Sequence, residues 1–464
     1  MDLGFQTIGN ATLIAYDHGP VVVTDPWLTG AAYFGSWTLS HIIHAEQLEA
    51  VKACPYVFIS HGHPDHLSLD SLAMLKNKTI LVPDHVGGRI MKDLGQLGYT
   101  VVVLKDGQWT PLSQRIRVMC IADWNQDGLL LADIGGVLVL NFNDGEGNAW
   151  RSFIKNMIRG YGRSFLLKLF GYGDADMINF VDEDGCRLQP DAAKRWPVGR
   201  KAIQHCTDLL GVTDVIPFSS FHKYQRSDSV WANEYVTGLE DYASGFASPR
   251  CTLHPAFVSY DGNTDELHEI RIRPEKTPEV ILNPQRFGDD WSDPLDKDDI
   301  NTVCRYFRSI EHLEKVLDFI TVRVGGRDHR IEFKKGDGAN TGVMFEVPRH
   351  SLMQAIGYEC FDDLLIGNFM RTCLFGDWPS TRLYPNFSPY VAKYADNGRA
   401  KTAEELRQYF GEYRRRAGTV HYLHAAFTSK ARQLMNRFER SESSLYYAAR
   451  RIKRFVQGRS IHEP

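Results

Sequence analysis

The chain has 464 residues, a net charge of −4 and 43% hydrophobic residues, which fits two or three globular domains. This balance carries no sign of a nucleic-acid-binding or membrane-surface protein, and no apolar run approaches the roughly 20 residues of a membrane span. The N-terminus lacks the basic and apolar regions of a secretory signal, and the eight cysteines form no Cys-x-x-Cys pair. We therefore expect a cytoplasmic protein without a disulfide framework or an iron–sulfur cluster.

The first sixty residues predict short strands joined by tight turns. Segments 11–16 and 21–24 predict a hairpin, with His18-Gly19-Pro20 as its turn. Asp25 ends the second strand, and a loop rich in glycine and aromatic residues follows, up to Trp37. A carboxylate at the end of a buried strand needs a partner. Asp25 is therefore either a turn cap or a group that orients a metal-bound histidine.

The next strand leads into the most informative stretch of the chain, Phe58-Ile-Ser-His-Gly-His-Pro-Asp-His-Leu67. It places four metal-capable side chains within six residues, and these are His61, His63, Asp65 and His66. On a turn between a strand and a helix, these side chains can face one small volume. Imidazole and carboxylate together suit zinc, iron or manganese. The stretch therefore predicts a metal site rather than a histidine-rich surface turn.

Strands alternate with helices after this motif, which predicts a layered α/β sandwich. The predicted strands are 79–82, 100–104, 116–121, 129–134 and 137–142, the last two joined by a Gly135-Gly136 turn. Candidate ligands follow two of these strands, Asp123 after the third and Asp144 after the fifth. An isolated Asp144 would be interpreted as an Asx turn. With the histidine cluster upstream, a ligand role is favoured.

Basic and apolar residues mix in the stretch after residue 150. Segments 150–159 and 163–170 predict amphipathic helices. Such helices would pack on the sheet, cover a substrate pocket, contact an anionic substrate or touch a membrane surface. A helical pattern over 192–210 then precedes an apolar strand that leads to His222, a candidate last ligand.

A domain boundary is predicted near residue 250, where the composition becomes more polar. Residues 251–415 predict a small α+β domain that lines or covers the site, and Asp362-Asp363 in it is interpreted as a helix cap. Residues 416–464 predict a basic helical tail. That tail would be a solvated face, a docking helix for a partner subunit or an acidic electron donor, or a contact with anionic lipid.

Four stretches resemble the metallo-β-lactamase superfamily, and more narrowly the CMP-N-acetylneuraminate hydroxylase family. They are Asp25-Pro-Trp-Leu-Thr-Gly30, Ile59-Ser-His-Gly-His-Pro-Asp-His-Leu-Ser68, Leu140-Asn-Phe-Asn-Asp144 and Ile216-Pro-Phe-Ser-Ser-Phe221 with Ser227-Asp228 downstream. The resemblance covers about residues 5–240. It implies an αββα sandwich over residues 1–250 that holds two metal ions at the edge of its sheets.

The resemblance also implies a ligand set. His61 and His63 would bind metal one, Asp65 and His66 metal two, and Asp144 would bridge the two ions. The chain departs from the hydrolase pattern at two positions. Asp123 or Asn125 stands where metal one has a third histidine, and Ser219 stands where metal two has its last histidine, which leaves His222 three residues later. A carboxylate in place of a histidine makes the donor set harder, that is, richer in oxygen atoms. Such a donor set favours iron over zinc.

These departures lead to two predicted functions. The favoured one is an O2-dependent di-iron hydroxylase that acts on a polar small molecule, for example one with a nucleotide or phosphate group. The alternative is a zinc-dependent hydrolase of a phosphoester, lactone or amide, with Asp65 or Asp144 as general base. A non-catalytic binding module is disfavoured by the intact histidine motif.

Partners follow from the same resemblance. Lys223, Arg226 and Trp27 are the predicted substrate contacts, since basic side chains beside the site would hold an anionic group. The hydroxylase family carries a Rieske domain with Cys-x-His and Cys-x-x-His ligands, of which only the second spacing occurs here, at Cys251-Thr-Leu-His254. Electrons are therefore expected from an external donor protein or from the substrate. A homo-oligomer is left open.

Overall fold

The computed structural model describes residues 1–123, 127–147, 150–171, 177–190, 198–203, 207, 210–272, 280–333, 341–379, 382–392 and 399–418. The strands in chain order are β1 (Leu3–Thr7), β2 (Leu13–Asp17), β3 (Pro20–Thr24), β4 (Trp37–Leu39), β5 (Tyr56–Phe58), β6 (Thr79–Pro83), β7 (Thr100–Leu104), β8 (Trp109–Pro111), β9 (Ile116–Ala122), β10 (Gly128–Ile134), β11 (Val137–Asn143), β12 (Ser164–Lys168), β13 (Phe180–Val181), β14 (Asp214–Pro217), β15 (His222–Tyr224), β16 (Thr252–Leu253), β17 (Val258–Asp261), β18 (Glu266–Glu269), β19 (Phe319–Val324), β20 (Arg327–Glu332), β21 (Gly342–Glu346) and β22 (Arg371–Phe375).

The helices in the same part of the chain are α1 (Ala45–Ala53), α2 (Leu69–Ala73), α3 (Arg89–Gln96), α4 (Arg151–Ile158), α5 (Lys297–Arg308), α6 (Glu311–Val316), α7 (Arg349–Tyr358), α8 (Asp362–Ile366), α9 (Ser388–Val391) and α10 (Ala403–Arg416). Shorter helical turns span Gly199–Ile203, Val230–Tyr235, Leu239–Ala243 and Pro284–Phe287. Among these helices, none combines the length and the apolar character that crossing a bilayer requires.

Two sheets form the centre of the molecule. The first has the order β18-β17-β1-β2-β3-β5-β6-β7, and the second has the order β16-β14-β12-β11-β10-β9-β8. Apolar side chains from both sheets interdigitate between them, among them Phe5, Val118, Leu130 and Phe165. Burial of this kind contributes about 25 cal/mol per Å2 of apolar surface, so the facing sheets supply much of the stability of this half.

Helices cover the outer faces of both sheets. Val51 of α1, Leu72 of α2 and Leu94 of α3 pack in one cluster on the outside of the first sheet. Ile154 of α4 packs with Leu140 on the outside of the second sheet. The layer order is therefore helix, sheet, sheet, helix, and the predicted αββα sandwich is confirmed.

The predicted helix over 163–170 is wrong. This segment forms β12, a fully buried strand that pairs in parallel with β11 on one side and β14 on the other. A central parallel strand is buried on both faces, so it lacks the alternation that distinguishes a strand from a buried helix. Lys168 is tolerated at the end of the strand because its Nζ donates to the carbonyl oxygen of Gly145 at 2.5 Å.

The strands cross the boundary that was predicted near residue 250. β16 pairs with β14, and β17 pairs with β1, so residues 252–269 complete the two central sheets. In the opposite sense, β13 pairs with β22 and so joins the sheet of the C-terminal half. The sandwich therefore includes strands beyond residue 250, and the exact domain division stays a prediction.

A third sheet, with the order β13-β22-β21-β19-β20, builds the C-terminal half. It shares a second large core with α5 to α8, which includes Phe307, Phe345 and Phe361. This half contacts the sandwich directly, since the Ser36 hydroxyl donates to the carbonyl oxygen of Gly367 at 2.6 Å. The two halves therefore meet beside the loop that follows β3. The predicted basic tail after residue 418 lies outside the described residues, as does most of the segment 192–210.

Candidate metal centre

The histidine motif begins just after β5, which lies between β3 and β6 in the first sheet. The motif is therefore at the carboxyl end of three parallel strands, where loops from neighbouring strands converge. Asp25 follows β3 at the same edge, and its amide nitrogen donates to the carbonyl oxygen of Phe58 at 2.8 Å. Asp144 follows β11 of the facing sheet. Sheet order therefore gathers residues that are far apart in the sequence.

One group of candidate ligands consists of His61, His66 and Asp144, whose ligand atoms all lie within 4.8 Å of one another. The Nε2 atom of His66 is 3.4 Å from Asp144 Oδ2, and the Nε2 atom of His61 is 3.9 Å from the same oxygen. Asp65 Oδ2 lies 3.4 Å from His66 Nε2. Both histidines are almost fully buried. We call His61, His66 and Asp144 the inner group, and Asp65 lies beside it.

A second group consists of His63, Asp362 and Asp363, also within 4.8 Å of one another. The Nε2 atom of His63 is 3.3 Å from Asp362 Oδ2. The two aspartates begin α8, and neither caps it by a hydrogen bond to the helix backbone, so the predicted helix-cap role is wrong. They are 3% and 6% exposed, whereas the His63 side chain is 22% exposed. We call this set the outer group.

The two groups are in direct contact. The Nε2 atom of His61 lies 2.9 Å from the Nδ1 atom of His63. The candidate centre is therefore one continuous cluster, in which these nitrogens of His61 and His63 face each other.

A carboxylate lies beside the other nitrogen of each histidine of the inner group. Asp25 Oδ2 is 3.3 Å from His66 Nδ1, and Asp127 Oδ1 is 3.5 Å from His61 Nδ1. Carboxylates in this position fix the orientation and tautomer of metal-binding histidines. For Asp25, this geometry agrees with the predicted orienting role.

Asp65 is held in place by two neutral side chains. The Tyr33 hydroxyl donates to its Oδ1 at 2.7 Å, and the Asn10 amide donates to its Oδ2 at 2.9 Å. Burial and the neighbouring Asp65 raise the pKa of Tyr33 well above its usual value, so its proton is retained for this hydrogen bond.

Asp144 is held by the strand ends around it. The Ser219 hydroxyl donates to Asp144 Oδ1 at 2.5 Å, and Oδ2 stays directed at the inner histidines. Ser219 thus stands where the hydrolase pattern has a histidine, and here it orients a carboxylate.

The backbone around the centre is strained. Several residues other than glycine adopt positive φ angles, namely Asp25 (39°), Tyr33 (51°), Asn143 (39°) and Ser219 (76°). Such conformations cost about 1–3 kcal/mol each and persist where the surrounding structure enforces them, which is common at functional sites.

The electrostatics of the cluster are dominated by burial and by close charges. Burial and the neighbouring histidines lower the pKa of His61 well below its usual value. Burial opposes protonation of His66 as well, but Asp65 and Asp144 outweigh it and raise its pKa. Burial and the neighbouring Asp144 and Asp123 raise the pKa of Asp127 to about 8. The close carboxylates therefore favour the protonated form of His66, whereas burial favours the neutral form of His61.

The donors present fit metal ions. Asp362 Oδ1 and Asp363 Oδ1 are buried and have no hydrogen-bond partner among the described residues, which is costly for a carboxylate oxygen. Imidazole nitrogens and carboxylate oxygens are the ligands that first-row divalent metals use. A cation at each group would compensate the buried charge and satisfy these oxygens.

Several predicted site residues lie elsewhere. Asp123 Oδ2 accepts from the amide nitrogen of Gly147 at 2.9 Å, and it is Asp127 that approaches His61. His222 lies in neither ligand group and stacks on Trp37 with ring centroids 3.4 Å apart. Asn125 lies outside the described residues.

The three predicted substrate contacts differ in how far they are buried. Trp27 is fully buried in an apolar cluster with Tyr33 and Trp37, so it presents no surface to a substrate. Arg226 is also fully buried, and its guanidinium donates to Asp228 and Asp289, so this assignment is wrong. Lys223 lies half-buried in β15, and its role stays a prediction.

Sequence reasoning missed the outer aspartates and the residues that hold Asp65. Asp362 is 299 residues from His63, so no local spacing connects them. The adjacent acidic pair is visible in the sequence, where it is interpreted as a helix cap. Asn10 and Tyr33 lie in turns whose side chains carry no pattern, and only the three-dimensional structure relates them to the motif.

A cavity of about 590 Å3 lies away from both ligand groups, and among its lining residues are Leu239, Tyr242, His254, Phe257 and Ile270. None of the candidate ligands lines it. The candidate metal centre and this cavity are therefore separate features of the described structure.

Curated relatives match part of the chain. The cytidine monophosphate-N-acetylneuraminic acid hydroxylase of Asterias rubens is 31% identical over 133 residues, which is 27% of this chain and 20% of that protein. The hydroxylase of the same name from Sus scrofa is 30% identical over 132 residues, 26% of this chain and 30% of that protein. The chain thus matches less than a third of these relatives' length. No family model matches the sequence.

Solved structures of similar fold are more distant. CmlA, a diiron β-hydroxylase from Streptomyces venezuelae, is 16% identical with a TM-score of 0.34, and the match covers 53% of this chain and 47% of CmlA. An isothiocyanate hydrolase from Delia radicum gut bacteria is 12% identical with a TM-score of 0.34, covering 55% of this chain and 98% of that one.

Proposed function

We propose that this chain is an O2-dependent hydroxylase with two iron ions, acting on a polar small molecule that carries a nucleotide or phosphate group. The observation that supports iron is the excess of carboxylates over imidazoles at the two ligand groups. Three histidines meet four aspartates there, namely His61, His63, His66, Asp65, Asp144, Asp362 and Asp363. Oxygen-rich donor sets suit iron or manganese better than zinc.

The proposed reaction is R–H + O2 + 2 electrons + 2 protons, giving R–OH + water. When bound, the iron ions would supply the redox chemistry that activates O2. The electrons would come from an external electron-transfer protein, one of the two sources expected from the sequence. The substrate class rests on the similarity to hydroxylases that are named for a cytidine monophosphate sugar.

The protein's own residues would orient the ligands and limit the access of water. Tyr33 and Asn10 fix both oxygens of Asp65, and Ser219 fixes Asp144. Asp25 would keep His66 Nε2 directed at the inner group. His63 is the most exposed of the three histidines, so substrate and O2 would approach from its side. This preorganisation keeps the donors in place without reorganisation during turnover.

A zinc-dependent hydrolase is the second candidate. The observation that favours it is the pair of buried imidazoles beside Asp144, a donor set that zinc also accepts. Zinc would activate water for attack on a phosphoester, lactone or amide. In that case Asp65 or Asp144 would serve as general base.

Metal analysis of protein from iron-supplemented cells separates the two candidates. We expect two irons per chain, and O2 consumption when an artificial reductant and a nucleotide sugar are supplied. The His61→Ala variant should lose at least half of the iron and the O2 consumption, because it removes a ligand of the inner group.

The matched control is His268→Ala, which removes an exposed histidine that is 70% accessible. This variant should retain both irons. Two zinc ions per chain, with hydrolysis of a generic phosphodiester in the absence of O2, would overturn the hydroxylase proposal in favour of the hydrolase. Full metal occupancy in His61→Ala would refute the ligand role of His61.

A further inference from the structure

We propose that His85 is a positioning residue of the metal centre, which fixes the histidine motif through the backbone carbonyl group of Ser60. His85 lies in the loop between β6 and α3 and belongs to neither ligand group. The inference deepens the proposed function, on which it rests for the presence of a bound metal ion. It adds a residue that acts on the ligands through another residue.

Ser60 connects the groups that orient the inner histidines. Its amide nitrogen donates to Asp25 Oδ1 at 2.7 Å, and its hydroxyl oxygen lies 3.0 Å from His61 Nδ1 and 3.3 Å from His66 Nδ1. The Nε2 atoms of both rings face Asp144 Oδ2, at 3.9 Å and 3.4 Å. A displacement of Ser60 would therefore change the orientation of both imidazoles.

The carbonyl oxygen of Ser60 needs a partner inside the protein. Ser60 is fully buried, and a side chain added at Gly128 of the facing sheet would come within 2.9 Å of this oxygen. A buried carbonyl group without a partner is costly. Among the described residues, the donor to this oxygen is Nε2 of His85, at 3.1 Å. His85 therefore holds the polar group of Ser60 that Asp25 and the histidines leave over.

The imidazole of His85 suits this hydrogen bond. The residue is 7% exposed, and burial lowers its pKa to about 4, so the ring is neutral at neutral pH and its proton lies on Nε2. Its Nδ1 atom is buried without a hydrogen-bond partner among the described residues. An apolar side chain would fill the same space without the cost of that nitrogen, so the bond to Ser60 explains the imidazole.

The loop that carries His85 is held on both sides by α10. The Tyr413 hydroxyl accepts from the amide nitrogen of Val86 at 2.8 Å, and Arg416 Nη1 donates to the carbonyl oxygen of Asp84 at 2.6 Å. These contacts fix the backbone directly before and directly after the histidine. A helix from the C-terminal part of the chain therefore supports the histidine motif through this loop.

Binding of Co2+ to the full-length, metal-free protein tests the proposal without turnover. His85→Leu keeps much of the side-chain volume but removes the donor, so Co2+ affinity should fall about tenfold and the visible absorption bands of bound Co2+ should shift. His85→Gln, whose side-chain amide can donate to the same oxygen, should restore the affinity and the spectrum. Competition with a fluorescent chelator measures the affinity.

The matched control is His312→Leu, which removes another buried histidine, one that stacks on Tyr390 in the C-terminal half. Whatever this change costs in stability, the variant should bind Co2+ with the affinity and the spectrum of wild type. Wild-type affinity and spectrum in His85→Leu would overturn the inference. A His85→Gln variant that binds as weakly as His85→Leu would overturn it too, because the hydrogen bond would then not be the cause.

A milder variant tests the same support if His85→Leu fails to fold. Tyr413→Phe removes the acceptor of the Val86 amide, so Co2+ affinity should fall about threefold, as for the loss of one hydrogen bond. Its control, Tyr358→Phe, changes a residue that is 65% exposed and should bind as wild type does. Equal affinities for these two variants would contradict the inference. A wild type that binds no Co2+, Fe2+ or Zn2+ would overturn the proposed metal centre itself.

Discussion

Two buried acidic sites in the C-terminal half differ in how their charge is compensated. Asp289 Oδ2 accepts from Arg226 at 2.6 Å and from the Ser351 hydroxyl at 2.6 Å, and Asp289 Oδ1 accepts from the Ser351 amide at 2.9 Å. Asp362 and Asp363 each retain an oxygen without a partner among the described residues. Asp289 is therefore compensated inside the protein, whereas the charge of Asp362 is faced by the imidazole of His63 in the candidate centre.

The same comparison explains the wrong assignment of Arg226. In the sequence, a basic residue near the end of the Ile-Pro strand suggests a contact for an anionic substrate. In the structure, Asp228 and Asp289 bind its guanidinium, which lies over the ring of Phe369 with 3.9 Å between Cζ and the ring centroid. The Arg226 guanidinium therefore joins the two halves of the chain through its contact with Asp289.

The largest effect on stability is expected at the compensated site. Asp289→Asn leaves Arg226 with one carboxylate fewer in a buried position, and breaking a buried pair in this way costs about 3–5 kcal/mol. Urea unfolding would measure the loss, and metal content of the folded variant should stay at the wild-type level.

Its neighbour Asp290 provides the matched control. Asp290 is exposed and hydrogen-bonds only locally, to Ser292. Asp290→Asn should therefore change the free energy of unfolding by less than about 0.5 kcal/mol. Equal losses for the two variants would contradict the distinction between the sites.

An effect of intermediate size, on metal affinity, is expected at Asp25, whose partner is a histidine of the candidate centre. Asp25→Asn weakens the contact that orients His66 at 3.3 Å, so metal affinity should fall about 10–100-fold, while the number of ions bound at saturation stays the same. Competition with a fluorescent chelator would measure the affinity. Unchanged affinity would show that Asp25 is a turn cap, the other interpretation allowed by the sequence.

The smallest effect is expected at Asp214, a carboxylate compensated at the edge of the second sheet. Burial raises its pKa, but hydrogen bonds from His254, Arg163 and Thr213 outweigh burial and lower it below 3.8. Asp214→Asn should therefore cost about 1.5 kcal/mol at neutral pH, as for a hydrogen bond to a charged group.

The pH dependence of this loss follows from the direction of the shift. Because the pKa is depressed in the folded protein, the stabilisation is present above the unfolded value of 3.8 and disappears as pH falls below it. The stability difference between wild type and Asp214→Asn should thus shrink when urea unfolding is compared at pH 7 and pH 3.5. A difference that grows on acidification would contradict the assignment.

The sequence predicted the sandwich and the clustering of His61 with His66 because both are encoded locally. Strand runs, the Gly135-Gly136 turn and the spacing of His61 to His66 are visible within windows of about ten residues. The predicted helix at 163–170 failed because a doubly buried strand carries no alternation. The contact of His63 with Asp362 was not predicted, because it joins residues 299 positions apart.

The most direct test of the centre is the position of the metals themselves. Crystals of the full chain grown with Mn2+ should give two anomalous peaks. Both should lie within coordination distance of the cluster that is formed by His61, His63, Asp65, His66 and Asp144. Crystals without a peak at these residues would contradict the account.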